Sequence, residues 1–318
     1  MNSKKKKTSI LFSLALIAAL IFSGCAKSGE QKPAGSEGSG KLTVLATTTM
    51  LADLAENIGG DKTEVTALMN AGVDPHLYKA SAGDVTLMQN SDVVVYNGLH
   101  LEAKLGEIIE KLDGGGKTVI NISDAVDPKD IMASEDDESY PDPHIWFDVM
   151  IWKQAASGMA EGLSKADPDN AAYYKENLAS YEKQLDELHQ YVIDKIEELP
   201  QPQRILVTAH DAFRYFGKAY NFSVEGLQGI STESEAGTSD VKNLADFLVE
   251  NKIKAIFIES SVPKKNVEAL QEAAKARGMD ITIGGELYSD SLGDKGSEAG
   301  SYIGTIRSNV DTIVNALK

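Results

Sequence analysis

Two hydrophobic rhythms alternate along this chain. Short apolar runs at 42–48, 64–69, 93–97 and 118–122 read as strands, while apolar positions three or four apart, as at Leu51, Leu54, Ala55 and Ile58, read as helices. Helices are expected over about 51–58, 82–89 and 102–112, the first stopped by Gly59-Gly60 and the last by Gly114-Gly115-Gly116. The alternation returns later, with strands at 204–208, 223–227, 254–258 and 281–283 and helices at 212–220, 241–251, 264–277 and 302–317. Asp240 is expected to cap the second of those helices. Strands that alternate with helices pair in parallel, and a parallel sheet needs helices over both faces.

Between these stretches a helix is expected over 146–163, followed by the longest periodic segment of the chain. Asp167-Pro168-Asp169 opens it, and Tyr174, Leu178, Tyr181, Leu185, Leu188, Val192, Ile196 and Leu199 follow at steps of three or four until Pro200 and Pro202 end it. Such a stripe predicts one amphipathic helix of about 30 residues, roughly 45 Å long. The expected fold class is therefore α/β, with two similar lobes, each a mostly parallel β-sheet flanked by helices, joined by one long rigid α-helix. The expected boundaries are an N-terminal lobe over 42–166, the linking helix over 167–200 and a C-terminal lobe over 201–318.

Composition adds limits. A chain of 318 residues, 42% hydrophobic and 25% charged, can bury a sizeable core and is not a disordered polymer. Its net charge of −17 argues against nucleic acid as a partner. Residues 1–24 read as a signal peptide: Lys4, Lys5, Lys6 and Lys7 precede an apolar core at 10–22 that is too short to span a bilayer comfortably. The one cysteine, Cys25, follows Phe22-Ser23-Gly24 in the manner of a bacterial lipoprotein signal, so lipidation is expected there. Residues 25–41, rich in Gly, Ser, Lys, Glu and Pro, read as a flexible tether from that anchor.

The candidate chemistry rests on five histidines. Asp-Pro-His occurs twice, as Asp74-Pro75-His76 and Asp142-Pro143-His144, and each proline restricts the aspartate before it and sets the imidazole on a turn. His76, His144, His210 and Asp290 are all expected on loops after strands, two from each half, where open α/β sheets bind their ligands. Three neutral imidazoles and a carboxylate suit a divalent first-row transition metal, and four protein ligands would close a tetrahedral zinc shell. Spacing alone does not single out Asp290 among the acids. Glu259, at a strand end, reads as a ligand, an acceptor for an imidazole N–H, or a cap for the helix after Pro263, with the last two preferred. His189 reads as a surface residue of the long helix, and His100, just after a strand, stays a candidate to line the site. The run Glu135-Asp136-Asp137-Glu138 reads as a solvated loop. The chain has no Gly-x-x-x-x-Gly-Lys-Ser/Thr loop, so ATP binding is not expected on it.

Together with the lipoprotein start, five segments carry a resemblance over residues 42–318. They are Asp74-Pro75-His76, Asp142-Pro143-His144-Ile145-Trp146, Val207-Thr208-Ala209-His210-Asp211-Ala212-Phe213, Gly226-Leu227-Gln228-Gly229-Ile230-Ser231-Thr232 and Gly284-Gly285-Glu286-Leu287-Tyr288-Ser289-Asp290. The chain resembles the metal-binding lipoproteins, or cluster A-I solute-binding proteins, of bacterial zinc and manganese ABC importers. The resemblance implies two lobes tied by a rigid helix, with the metal held between them by His76, His144, His210 and Asp290. It further implies a monomer outside the cytoplasm, anchored to the outer face of the cell membrane through Cys25, that delivers Mn2+ or Zn2+ to a membrane permease driven by ATPase subunits.

Two departures bear on the metal. His210 stands where the manganese-restricted branch commonly has glutamate, and an acidic loop stands where many zinc-dedicated members have a histidine-rich one. Affinity order alone favours zinc over manganese at such a donor set, whereas availability and transporter gating can reverse what is carried. The resemblance as a whole leans to manganese in the cell. Two rival readings are an exported metallohydrolase with Glu259 as general base, which needs a coordination position open to water, and a surface adhesin with a structural metal.

Overall fold

The computed structural model describes residues 40–134 and 140–318. The expected signal peptide, Cys25, the tether up to residue 39 and the run Glu135-Asp136-Asp137-Glu138 lie outside the described residues. In the first half, β1 (Leu42–Ala46), β2 (Thr63–Ala67), β3 (Val93–Tyr96) and β4 (Thr118–Asn121) form one sheet in the order β2-β1-β3-β4, every neighbouring pair parallel. Helices α1 (Thr49–Gly59), α2 (Ala82–Asn90) and α3 (Gly106–Gly114) connect its strands. Successive strand side chains point to opposite faces. Val44, Ala46, Val93 and Val95 accordingly join one core with α1, while Leu45 and Val94 join another with Met88, Leu105 and Ile109.

Helix α4 (Val149–Ala166) leads to α5 (Ala171–Ile196), and the second half then repeats the rhythm. It contains β5 (Ile205–His210), α6 (Arg214–Tyr220), β6 (Ser223–Gln228), α7 (Thr238–Asn251), β7 (Ala255–Glu259), α8 (Lys265–Lys275), β8 (Thr282–Leu287) and α9 (Tyr302–Leu317). β5 pairs with β6 and β7 with β8, both in parallel, and β5 lies beside β7.

Helix α5 runs for 26 residues, shorter than its stripe predicts because both ends tighten: Pro168–Asn170 is a 3-10 turn, and residues 197–199 turn before Pro200. Tyr174, Tyr181, Leu185, Leu188, Val192 and Ile196 are buried against α1, α4 and α9. They belong to a core that also contains Leu51 and Trp152 from before α5 and Leu206, Phe257 and Tyr302 from after it. Direct contacts join the halves as well. Phe147 packs on Phe213 with ring centroids 4.2 Å apart, Trp152 stacks on Tyr302 at 5.1 Å, and the Tyr302 hydroxyl donates to the Trp146 carbonyl at 2.7 Å. The long helix is thus an embedded spine, and large rotations of one half on the other would break a continuous apolar core.

Further departures from the hydrophobic pattern have local reasons. α3 begins four residues late because Glu102 turns inward, where its carboxylate accepts from the Thr47 hydroxyl at 2.6 Å and the Asn97 N–H at 2.9 Å. α7 begins at Thr238 with Gly237 as its N-cap; Asp240 is the third helical residue and reaches back to accept the Gly237 N–H at 2.8 Å. β8 continues through Gly284 and Gly285, past the end at 283 that its apolar run predicts. At Gly284 a Cβ would come within 2.7–3.0 Å of Ala316, Phe257 and Ala255, so the missing side chain lets α9 sit close on the strand. β5, finally, extends two residues further than expected and places His210 within the strand.

Candidate metal centre

Three imidazoles and one carboxylate meet at the carboxyl ends of the strands. His76 lies in the loop after β2, His144 opens the 3-10 turn Ile145–Phe147 ahead of α4, His210 is the last residue of β5, and Asp290 follows β8 by three residues. One ligand atom from each lies within 4.8 Å of every other, and all four residues are buried. The ring centroids of the histidines stand 5.3–6.0 Å apart. Asp290 offers one oxygen to each of two rings, Oδ1 at 3.5 Å from His144 Nε2 and Oδ2 at 3.4 Å from His210 Nε2. A tetrahedral ion with bonds near 2.1 Å needs ligand atoms about 3.4 Å apart, the separation of these two carboxylate–imidazole contacts.

Nε2 of His76, His144 and His210 and Oδ1 of Asp290 are buried without a hydrogen-bond partner. Four orphaned donor atoms aimed at one point would destabilise the fold if nothing came between them. A divalent cation satisfies all four at once. The donor set of three nitrogens and a carboxylate fits a divalent first-row transition ion.

The shell behind the rings is built from acids. The Asp142 carboxylate accepts both the His144 backbone N–H at 3.0 Å and the ring at Nδ1 at 2.8 Å. Glu259 does the same for His210, at 2.9 Å from its N–H and 2.5 Å from Nδ1. Each contact turns Nε2 toward the centre and fixes the tautomer that can ligate. Asp74 acts on the backbone alone: it accepts the His76 N–H at 2.9 Å and, on its other oxygen, the Thr232 hydroxyl at 2.6 Å. The two Asp-Pro-His turns are therefore alike in chain path and different in what the aspartate holds.

Burial and charge set the protonation of the metal-free site. Burial opposes a charge on His144, yet the Asp142 and Asp290 carboxylates outweigh it and push the imidazole up to about 9. His210 is likewise raised well above its ordinary value, burial being overcome by Glu259 and Asp290. Burial would also keep Asp290 neutral, but His210, His144 and His76 together hold it well below the usual carboxylate range. His76 goes the other way, lowered to about 3 because burial dominates. A metal entering at neutral pH must therefore displace protons from His144 and His210.

The remaining sequence candidates fall elsewhere. His100 is exposed and stacks on Tyr140, with centroids 5.0 Å apart, outside the cluster. His189 is half-buried, with Nδ1 at 3.1 Å from the Tyr220 hydroxyl, so it is a packed polar pair of α5 and α6 and not a free surface residue. Glu259 stands behind His210, and α8 takes Lys264 as its N-cap residue. Asp142, Asp74 and Thr232 are the contributors that sequence reasoning missed. The aspartate two places before each histidine is a usable signal, since an Asx turn carries it; Thr232 stands in one of the segments that carry the resemblance, but its pairing with Asp74, 158 residues away, leaves no local trace.

Three comparisons with known proteins bear on this arrangement. The model of the ZnuA family, described as zinc-uptake complex component A periplasmic, matches residues 44–316. The chain is 47% identical over 278 residues to the zinc-binding protein TroA of Treponema pallidum, covering 87% of this chain and 89% of that one. It is 43% identical over 308 residues to the manganese-binding lipoprotein MntA of Bacillus subtilis, covering 97% and 99%. Among solved structures, the periplasmic zinc-binding TroA superposes with a TM-score of 0.85 over 87% of this chain and 99% of its own, at 47% identity.

Proposed function

The chain belongs to the ZnuA family, and on that premise we propose that it is the extracytoplasmic metal-binding protein of an ABC importer, which captures one Mn2+ or Zn2+ ion and hands it to the permease. It is a solute-binding protein and not an enzyme. The permease and ATPase reside on other chains. The observation that carries this reading is the set of four buried, unpartnered donor atoms on His76, His144, His210 and Asp290. We assign those four residues as the metal ligands and Glu259 as the orienting acceptor behind His210. Four protein ligands close a tetrahedral shell, which then has no position for a reacting water. Glu259, with both oxygens engaged by His210, is not free to act as the general base of a hydrolase.

Manganese is proposed as the ion carried in the cell. The likeness to manganese-binding MntA covers 97% of this chain, including most of the residues before the first strand. The same residues support an anchor at Cys25 and a signal peptide over 1–24, with a tether over 25–41. The division into lobes at 42–166 and 201–318 about the helix at 167–200 follows the return of the βα rhythm on either side of α5. A monomer is proposed.

Uptake of radiolabelled Mn2+ by the source cells tests the transport role directly. Cells carrying Asp290→Ala in place of the native chain should fall to the level of a deletion strain. An adhesin with an incidental metal would leave uptake intact. Elemental analysis of protein purified from its own cells decides the ion, and zinc in place of manganese would overturn that part. Glu259→Gln keeps the size of the side chain and removes its charge, so metal affinity should drop by about 10–100-fold, measured by competition against a chelating dye. An unchanged affinity would deny Glu259 its orienting role.

A further inference from the structure

Two segments of the second half close over the turn that carries His76, and they are held in different ways. Residues 288–292, which include Asp290, are buried from Ser289 to Leu292 and tied to the first half repeatedly. Trp146 Nε1 donates to the Ser289 carbonyl at 2.9 Å, the Gly72 N–H to Ser291 Oγ at 2.8 Å, and the Leu292 N–H to Thr49 Oγ1 at 2.8 Å. From the second half, Asn309 brackets Tyr288 through both its N–H and its carbonyl. This segment is a fixed wall.

The loop between β6 and α7, residues 229–237, is mostly solvent-facing. It reaches the site through Thr232, which is 6% exposed and whose hydroxyl donates to Asp74 Oδ2 at 2.6 Å. At its rim Glu233 forms an ion pair with Lys104 in which both side chains are exposed, so solvent screens it. Asp74 faces two ways: Oδ2 takes Thr232, and Oδ1 takes the His76 backbone N–H. Lifting the loop therefore strips one of the two bonds made by the Asp74 carboxylate, and with it the tie between the loop and the His76 turn. His76 is also the imidazole whose aspartate grips the backbone and not the ring.

We infer that Thr232 is the latch on metal release: the ion leaves by separation of loop 229–237 from the His76 turn, with His76 the first ligand to withdraw. This rests on the metal-binding reading of the site and adds which wall opens. Thr232 does not touch the ion, so it is a positioning residue, and its signature is kinetic.

The test uses the Zn2+-loaded full chain and follows transfer of the ion to excess chelator by stopped flow. Thr232→Val, nearly isosteric, should release Zn2+ at least about tenfold faster, the size of one lost hydrogen bond to a charged group. Thr232→Ser, which restores the hydroxyl, should return the rate close to that of the native chain. Ser291→Ala, on the fixed wall, should accelerate release less than Thr232→Val does. A native release rate in Thr232→Val, no rescue by serine, or a larger acceleration from Ser291→Ala would each overturn the inference while leaving the metal site standing. Failure of the native chain to take up Zn2+ at all would sink the reading of the site itself.

Discussion

Replacing His144 with alanine should weaken Zn2+ binding by more than about 100-fold, beyond the range reached by changing the groups behind a ligand. His144 is fully buried between two acids, with Asp142 at Nδ1 and Asp290 opposite Nε2. Its loss opens the coordination shell and leaves the Asp142 carboxylate buried without the ring it was placed to hold. The lost ligand bond makes the fall in affinity exceed that expected for Glu259→Gln, while the unpaired Asp142 carboxylate weighs on the stability of the fold. His100→Ala is the matched control: its ring stacks on Tyr140 away from the cluster, and affinity should not change. Competition titration against a chelating dye reads both variants. A loss under tenfold in His144→Ala would mean that the ion sits elsewhere.

Saturating metal should raise the melting temperature by roughly 10 °C, and by more at pH 8.5 than at pH 6. An ion present at about 1,000 times its Kd adds about 4 kcal/mol to the folded state, worth a few degrees per kcal/mol in a chain of this size. The pH dependence follows from the two raised histidines. In the metal-free fold His144 is pushed up to about 9 and His210 is raised well above its ordinary value, burial being outweighed in each case by the neighbouring carboxylates. Their protonated forms stabilise the empty protein fully below the unfolded histidine value of about 6.5, and His144's share is lost as pH rises through 9. The bound ion requires both rings deprotonated at Nε2, so protons compete with metal throughout that window. Affinity therefore climbs from pH 6 toward 9, a range higher than free histidine would set. Scanning calorimetry with and without Zn2+ at the two pH values checks it, and an equal shift at both would refute the proton competition.

Much of this architecture was legible in the alternation of the two hydrophobic periods. Strand after strand emerged within one to four residues of its expected ends, because a buried parallel strand and an amphipathic helix leave different repeats. The errors sit where a local pattern meets a distant partner. His210 was expected just past its strand and is its last residue, because pairing with Gln228 carries β5 further than its apolar run. Gly284-Gly285 lies beyond the apolar run at 281–283, and only with α9 packed on the strand does the absence of a side chain at Gly284 become a packing requirement. The three rings that converge are legible in the sequence because histidines are few and two share a proline turn. Asp290 was not separable from the other acids by spacing; resemblance supplied it, and the fold sets it opposite His144 and His210. The long helix was expected as a strut, and its stripe was right, but how deeply both halves bury it depends on contacts with α4 and α9 that no local period encodes.

Anomalous diffraction from crystals of the metal-loaded chain tests the four-ligand centre most directly. Data collected at the absorption edge of the bound ion should give a single peak about 2.0–2.2 Å from Nε2 of His76, His144 and His210 and from the carboxylate of Asp290. A peak coordinated by other side chains, or one from which any two of these four groups turn away, would contradict it.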